Sequence, residues 1–272
     1  MNARGLRSES HIALLIDADN SPAGKIDVVL TELSTFGVTN VRRAYGNWKK
    51  TELKGWEEKL HEHAIRPMQQ FDYSKGKNAS DMAMVIDALD LLYTDRPDAF
   101  GIVSSDADFT PLVMHLRAKG AAVYGFGMQK TPEPFVNACS RFLYLDRLGG
   151  NDPLDVPATA AVSSVPGGQV GDGVAAKLAS PLRVPPEQIR KDAKLISLLR
   201  SAVIASEDES GWAKAGVVGT HIGNKASFDS RNYGYATLTK LLVATDAFEL
   251  RDEGTPKVSF RDKRHFLANS TR

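Results

Sequence analysis

The chain has 272 residues, 42% of them hydrophobic, which is enough for one large core or two ordinary ones, and two domains is the better expectation. Its 34 Lys and Arg nearly cancel 33 Asp and Glu, so overall charge points to neither a nucleic acid nor a membrane, and any such signal must be local. The single cysteine, Cys139, excludes an internal disulfide. Neither a signal-like N-terminal stretch nor an apolar run of about 18 residues is present, so a cytosolic (cytoplasmic) chain without a membrane span is expected.

Short apolar runs and helical patterns alternate over residues 11–148. Strands are predicted at His11–Ile16, Val41–Tyr45, Ile65–Gln70, Phe100–Ser104, Ala122–Phe126 and Phe142–Leu145, and helices at Pro22–Phe36, Glu52–His63, Asp81–Tyr93, Phe109–Lys119 and Pro132–Ala138. This βα rhythm predicts an α/β domain, a doubly wound and mainly parallel sheet with helices on both faces. From 149 to 186 the composition turns to Gly, Pro, Ala, Ser and Val with few large apolar residues, which reads as a flexible linker that docks to neither side. Beyond it lie predicted helices at Ile189–Ala205, Trp212–Ile222 and Tyr235–Thr245. The segments Phe248–Leu250 and Lys257–Phe260 then flank a turn, a pattern that suggests a winged-helix domain over about 187–264.

The first predicted strand runs into Asp17-Ala18-Asp19-Asn20, and the fourth into Ser104-Ser105-Asp106-Ala107-Asp108 ahead of a helix. In an open parallel sheet, ligands bind outside the carboxyl ends of the strands at the switch point, where strands one and four would be neighbours. Asp81 opens the third helix and Asp87 lies further along it. Taken singly, such residues are commonly helix caps and turn formers. As a set they deliver acids from three segments to one edge, and two carboxylates about 5 Å apart repel by roughly 3 kcal/mol at an effective dielectric near 20. A cation or a retained proton is then needed, and hard oxygen ligands without His or Cys point to Mg²⁺ or Mn²⁺ and to phosphoryl chemistry.

These motifs resemble the NYN domain of the LabA-like group in the PIN-like nuclease superfamily, over roughly residues 10–148. The resemblance rests on Ile16-Asp17-Ala18-Asp19-Asn20, on Lys77 followed by Asp81, and on Ser105-Asp106-Ala107-Asp108-Phe109, with Ala107 standing where many such domains have Gly. It implies a metal-dependent ribonuclease in which Asp17, Asp81, Asp106 and Asp108 surround the ion and Asn20 supports the first turn; the roles of Asp19 and Asp87 stay open. The C-terminal region, about 187–262, resembles the OST-HTH or LOTUS winged-helix module associated with RNA binding. It does so through Gly211-Trp212-Ala213, Phe228 to Tyr235, and Leu238 to Leu242 leading into Phe248-Glu249-Leu250.

Other residues are weighed for RNA contact. Arg42, Arg43, Lys49, Lys50 and Lys54 surround Tyr45 and Trp48, a mixture that could hold a phosphate backbone and stack a base, or equally form a solvated helix start over buried aromatics. Lys75 and Lys77 beside Gly76 could touch phosphate near the metal, and Arg231 and Tyr233 could contact RNA in the second domain, where one of Tyr233 and Tyr235 is expected in the core. His61 and His63, two apart on a helix, point in different directions and make a poor metal pair. Met82, Met84, Val85 and Leu89 read as core, and Cys139 as a packed thiol. The resulting expectation is a Mg²⁺- or Mn²⁺-dependent endoribonuclease acting on single-stranded or loop RNA, with a C-terminal domain that binds RNA or a protein partner. Two alternatives stand beside it: a haloacid-dehalogenase-like phosphatase with Asp17 as nucleophile and Asp19 as acid and base, and a catalytically inactive RNA-binding adaptor.

Overall fold

The computed structural model describes residues 9–71, 79–148 and 183–264. The first domain runs β1 (His11–Asp17), α1 (Ile26–Ser34), β2 (Val38–Gly46), α2 (Lys54–Glu62), β3 (Arg66–Gln69), α3 (Ala79–Thr94), β4 (Ala99–Val103), α4 (Thr110–Ala118), β5 (Ala122–Gly127), α5 (Glu133–Ala138) and β6 (Arg141–Tyr144). Single 3-10 turns lead into α1, α2 and α4. The sheet order is β3-β2-β1-β4-β5-β6, and every neighbouring pair is parallel.

The continuous apolar runs of β1 and β4 follow from this arrangement, since a central parallel strand is covered on both faces. Along β1 successive side chains point to opposite faces. Ile12, Leu14 and Ile16 enter one core with Val29, Leu33 and Trp56, while Ala13 and Leu15 enter the other with Met84, Phe100, Val113 and Phe142. Met84 is fully buried on α3, with Val85 and Leu89 packed partly against the same core, but Met82 is 61% exposed. The expectation that all four are core therefore fails at Met82, because two positions along a helix turn a side chain well away from Met84.

The second domain consists of α6 (Pro186–Lys191), α7 (Ala193–Ala205), β7 (Ala213–Lys214), α8 (Ala215–Lys225), a 3-10 turn (Ser230–Tyr233), α9 (Leu238–Thr245), β8 (Phe248–Arg251) and β9 (Ser259–Asp262), with an antiparallel sheet ordered β7-β9-β8. Helices followed by this small wing match the predicted class. The single helix predicted over Ile189–Ala205 is two, because Asp192 leaves the helical conformation (φ −76°, ψ 90°) and its carboxylate accepts from Leu195 N–H at 3.0 Å as the cap of α7. Of the stretch read as a linker, residues 149–182 lie outside the described residues. Its last part is folded: Val184 N–H donates to Tyr233 O at 3.1 Å, the Tyr235 hydroxyl donates to Val184 O at 3.1 Å, and the Arg183 guanidinium lies 4.4 Å from the centre of the Tyr235 ring. Gly234, at φ +77°, is required here, since a Cβ would come within 2.6 Å of Arg183 Cα.

The two domains dock, against the expectation drawn from the linker's composition. The contacts come from the domains themselves. Asn232 donates through Nδ2 to Phe142 O at 2.9 Å and accepts at Oδ1 from Tyr144 N–H at 3.1 Å, occupying the free edge of β6. An alternating chain of charges runs beside it, with Glu32 on α1 paired to Arg231, Arg231 to Asp229 at 2.9 Å, and Asp229 to Arg141 on β6 at 3.3 Å. Among the described residues no helix is long and apolar enough to cross a membrane.

Candidate active site

The register of β1 on β4 pairs Ile16 with Val103, so the next residues, Asp17 and Ser104, emerge side by side at the carboxyl edge of the sheet. The loop after Asp17 is fixed from behind, because Ser21 Oγ–H donates to Val103 O at 3.3 Å and the Trp56 indole N–H donates to Ser21 O at 3.2 Å. Asp17 is only 1% exposed. Its Oδ2 accepts from the Ser104 hydroxyl at 2.9 Å, and the Asn20 amide donates to Oδ1 at 3.2 Å and to Oδ2 at 3.1 Å. Burial pushes the Asp17 carboxyl above the ordinary range, the Ser104 and Asn20 hydrogen bonds oppose the rise, and the charge of Asp19 adds to it.

Ser104 joins the two acidic segments, since its Oγ also accepts from Asp106 N–H at 3.1 Å. Asp106 Oδ1 in turn accepts from Asp108 N–H at 2.9 Å and caps the 3-10 turn, leaving the Asp108 side chain exposed at the rim. The β5 strand closes tightly against this corner. A Cβ on Gly127 would lie 2.6 Å from Ser104 O, and beyond Gly127 the Met128 N–H donates to Ser105 Oγ at 2.8 Å. Asp81 enters from the first turn of α3. Its carboxyl is pushed up to about 6, first by burial and then by the charges of Asp17, Asp106, Asp19 and Asp108. Four other carboxylates thus act on Asp81, and the three segments predicted to converge do so.

The donor set suits a small hard cation: all of these groups are carboxylate oxygens, and burial followed by their crowding pushes Asp81 up to about 6. Their spacing is open. Among the described residues the group of three or more candidate ligands with all ligand atoms within 4.8 Å of one another is Asp27, Glu62 and His63, away from the sheet edge. That group already holds the Lys59 ammonium, 3.2 Å from Asp27 and 2.7 Å from Glu62.

The remaining predicted contacts fall into different places. Arg43 and the Tyr45 hydroxyl both bind Asp87, so this acid closes a structural triad and is turned away from the site. Arg42 is likewise committed, donating to Thr39 O at 3.2 Å and His63 O at 2.8 Å. Both arginines thus have hydrogen-bond partners within the domain. Lys50 Nζ lies 3.2 Å from Asp19, an ion pair that gives Asp19 a partner on β2's outgoing loop. Trp48 is half-buried, its N–H donating to Gln69 Oε1 at 3.1 Å. Lys49 is exposed, with Nζ 4.9 Å from the ring centre of Phe71, an exposed aromatic for which the sequence carried no signal. Lys75 and Lys77 lie outside the described residues. Arg231 is consumed by the interdomain charge chain, Tyr233 is half-buried at the seam, and Tyr235 is the core tyrosine. Cys139 is buried, donates to Phe135 O at 3.3 Å, and has its thiol pushed up to about 12 by burial, consistent with a packed role. Ser104 was the site residue with no predicted role.

Comparison with known proteins matches residues 11–146 to the family model of the NYN domain and residues 189–260 to that of the OST-HTH/LOTUS domain. An uncharacterized protein of Methanocaldococcus jannaschii is 30% identical over 131 residues, 47% of this chain and 51% of its own length, so the chain spans about half of the curated relative it matches. Two solved structures are similar. One, a protein of unknown function from Vibrio parahaemolyticus, has a TM-score of 0.41 and 18% identity over 52% of this chain and 95% of its own. The other, an uncharacterized protein of Nitrosomonas europaea, has a TM-score of 0.22 and 29% identity over 38% of this chain and 89% of its own.

Proposed function

This chain belongs to the NYN-domain family and carries an OST-HTH/LOTUS domain behind it, and on that premise we propose that it is a metal-dependent endoribonuclease acting on single-stranded or looped RNA. NYN is a PIN-like nuclease domain and LOTUS an RNA-binding domain, which together support an RNA nuclease. The observation that carries the finer reading is the convergence of Asp17, Asp81 and Asp106–Asp108 from three segments at one sheet edge, where burial and then the neighbouring charges raise Asp81 to about 6, a concentration of acids that a divalent cation would relieve.

Asp17, Asp106 and Asp108 are the residues to hold Mg²⁺ or Mn²⁺, with Asp81 as a further ligand or as the group that orients the water. Such an ion, when bound, polarises the phosphodiester and makes water a stronger nucleophile at neutral pH. Ser104 and Asn20 fix the Asp17 carboxylate by occupying both of its oxygens, so its direction is set before substrate arrives. If it is not a ligand, Asp81 is the carboxylate placed to accept the proton of the attacking water. Lys49 with Phe71 is the RNA contact proposed at this edge, and Lys75 and Lys77 are proposed from their sequence pattern. The phosphatase reading is disfavoured because Asp19, its acid and base, is ion-paired to Lys50. Incubation of the purified chain with end-labelled single-stranded RNA in Mn²⁺, Mg²⁺ or EDTA tests the proposal, with a small phosphate monoester in parallel. Internal cleavage with either ion and none in EDTA is expected; monoester hydrolysis without RNA cleavage would support the phosphatase, and RNA binding without cleavage the adaptor.

A further inference from the structure

A groove of about 680 Å³ opens along the seam between the two domains, with Tyr144, Arg147 and Gln129 on one wall and Tyr233, Ser227 and Gln188 on the other. Its volume lies within the usual range for small-ligand sites. The acids that line it are matched: Glu133 lies 3.8 Å from Lys194, Asp192 caps α7, and Asp229 is held by Arg231 and Arg141. Arg147 is different, because its Nη1 is buried without a hydrogen-bond partner among the described residues, and the same holds for Ser227 Oγ across the groove. A buried guanidinium nitrogen and a buried hydroxyl left unmatched are each costly, and the cost is recovered if a ligand supplies acceptors. Arg147, Tyr144 and Tyr233 all line the groove, so cation and rings share one space. A guanidinium that binds phosphate oxygens in forked fashion beside aromatic rings is the chemistry that receives a nucleotide.

We infer that this groove binds one nucleotide unit of an RNA strand, its phosphate on Arg147 and Ser227 and its base against Tyr144 and Tyr233. The inference deepens the ribonuclease reading and rests on it for the choice of RNA. The path from groove to acids is short. Gln129 and Thr131 of the groove follow β5, whose next residue Met128 is bonded to Ser105 beside Asp106. With neighbouring strands about 4.8 Å apart, β6 stands only about 10 Å across the same edge from β4. A strand lying in the seam is thereby led across the carboxylates, which gives the docked second domain a part in placing substrate.

The test is binding of a fluorescein-labelled oligouridylate to the full-length chain in EDTA, with 5′-UMP as competitor, for wild type, Arg147→Met and Ser227→Ala. Loss of a charge-assisted phosphate contact predicts about tenfold weaker binding for Arg147→Met and about threefold for Ser227→Ala. Neither variant should melt lower than wild type, since each removes an unmatched polar group, a result that separates a ligand site from a structural role. Arg147-dependent binding that is at least about tenfold tighter for the oligonucleotide than for UMP identifies the strand as occupant; Arg147-dependent binding of UMP as tight as that of the oligonucleotide overturns the strand and leaves a free-nucleotide site. Unchanged affinity in both variants overturns the groove altogether. Because binding is read without metal, Arg147-dependent binding with no Mn²⁺-dependent cleavage would fail the nuclease reading alone, and cleavage with Arg147-independent binding would fail the groove alone.

Discussion

Asn232 of the second domain is joined to Tyr144 of the first as a neighbouring strand would be: its Oδ1 accepts the Tyr144 N–H at 3.1 Å while its Nδ2 donates to Phe142 O at 2.9 Å. One side chain so satisfies part of the exposed edge of β6, which would otherwise template pairing with another chain. Replacing it with Leu removes two hydrogen bonds worth about 1 kcal/mol each and leaves the edge groups unmatched. Asn232→Leu should therefore separate the domains, read as a larger radius of gyration by X-ray scattering and faster amide exchange at Tyr144. Unchanged scattering and exchange would place the docking energy elsewhere, with the Glu32–Arg231–Asp229–Arg141 chain and the Lys194–Glu133 pair among the other contacts.

Asp17→Asn should lower metal-dependent RNA cleavage at least about a hundredfold, a loss of about 3 kcal/mol of transition-state stabilisation. RNA affinity in EDTA should change less than about twofold, because the buried carboxylate faces Ser104 and Asn20. Single-turnover kinetics and equilibrium binding on the same preparation measure both terms. Cleavage at the wild-type rate would remove the cluster from the chemistry.

Asp81 sets a pH dependence of stability that has the opposite sign to that of an ordinary ion-paired acid. Its carboxyl stands at about 6 in the folded chain against the 3.8 of an ordinary aspartate, so between those values the native state binds more protons than the unfolded one. The stability it contributes is full below the unfolded value and is lost as pH rises through about 6. In EDTA, Asp81→Asn should melt at a higher temperature than wild type at pH 7.5 (about 1.5 units above that value) and should lose this advantage near pH 4. A wild-type minus mutant difference that does not vary over this window would show that Asp81 is not raised.

Asp87 offers the contrasting case of an acid near the site whose role is framework. Removing it leaves the Arg43 guanidinium and the Tyr45 phenol, both bound to it now, without their acceptor. Asp87→Ala should cost about 2–3 kcal/mol of stability. Its Mn²⁺ affinity, measured by calorimetry below the melting transition, should match wild type, whereas Asp108→Asn should bind more weakly at unchanged stability. A large loss of Mn²⁺ affinity in folded Asp87→Ala would move this residue into the site.

The sequence by itself determined whatever depends on local pattern. The buried runs of β1 and β4, the helical periods between strands, and the Asp-x-Asp pairs at two strand ends specified a parallel α/β sheet with acids at one edge, and the structure has that sheet. These features are legible because side-chain alternation and strand-to-helix turns involve neighbours in the chain. Partner choice over long separations was settled only in the tertiary structure. The sequence left Arg42 and Arg43 equally open to RNA contact or a structural role, and only the fold supplies Thr39, His63 and Asp87 as their partners and Glu32 as that of Arg231. Ser104 carried no signal, yet it ties Asp17 to Asp106 because two parallel strands end in register. The domain seam was hidden for the same reason: a low-complexity connection says nothing about the surfaces at its ends, and Asn232 meets β6 only once both domains have folded.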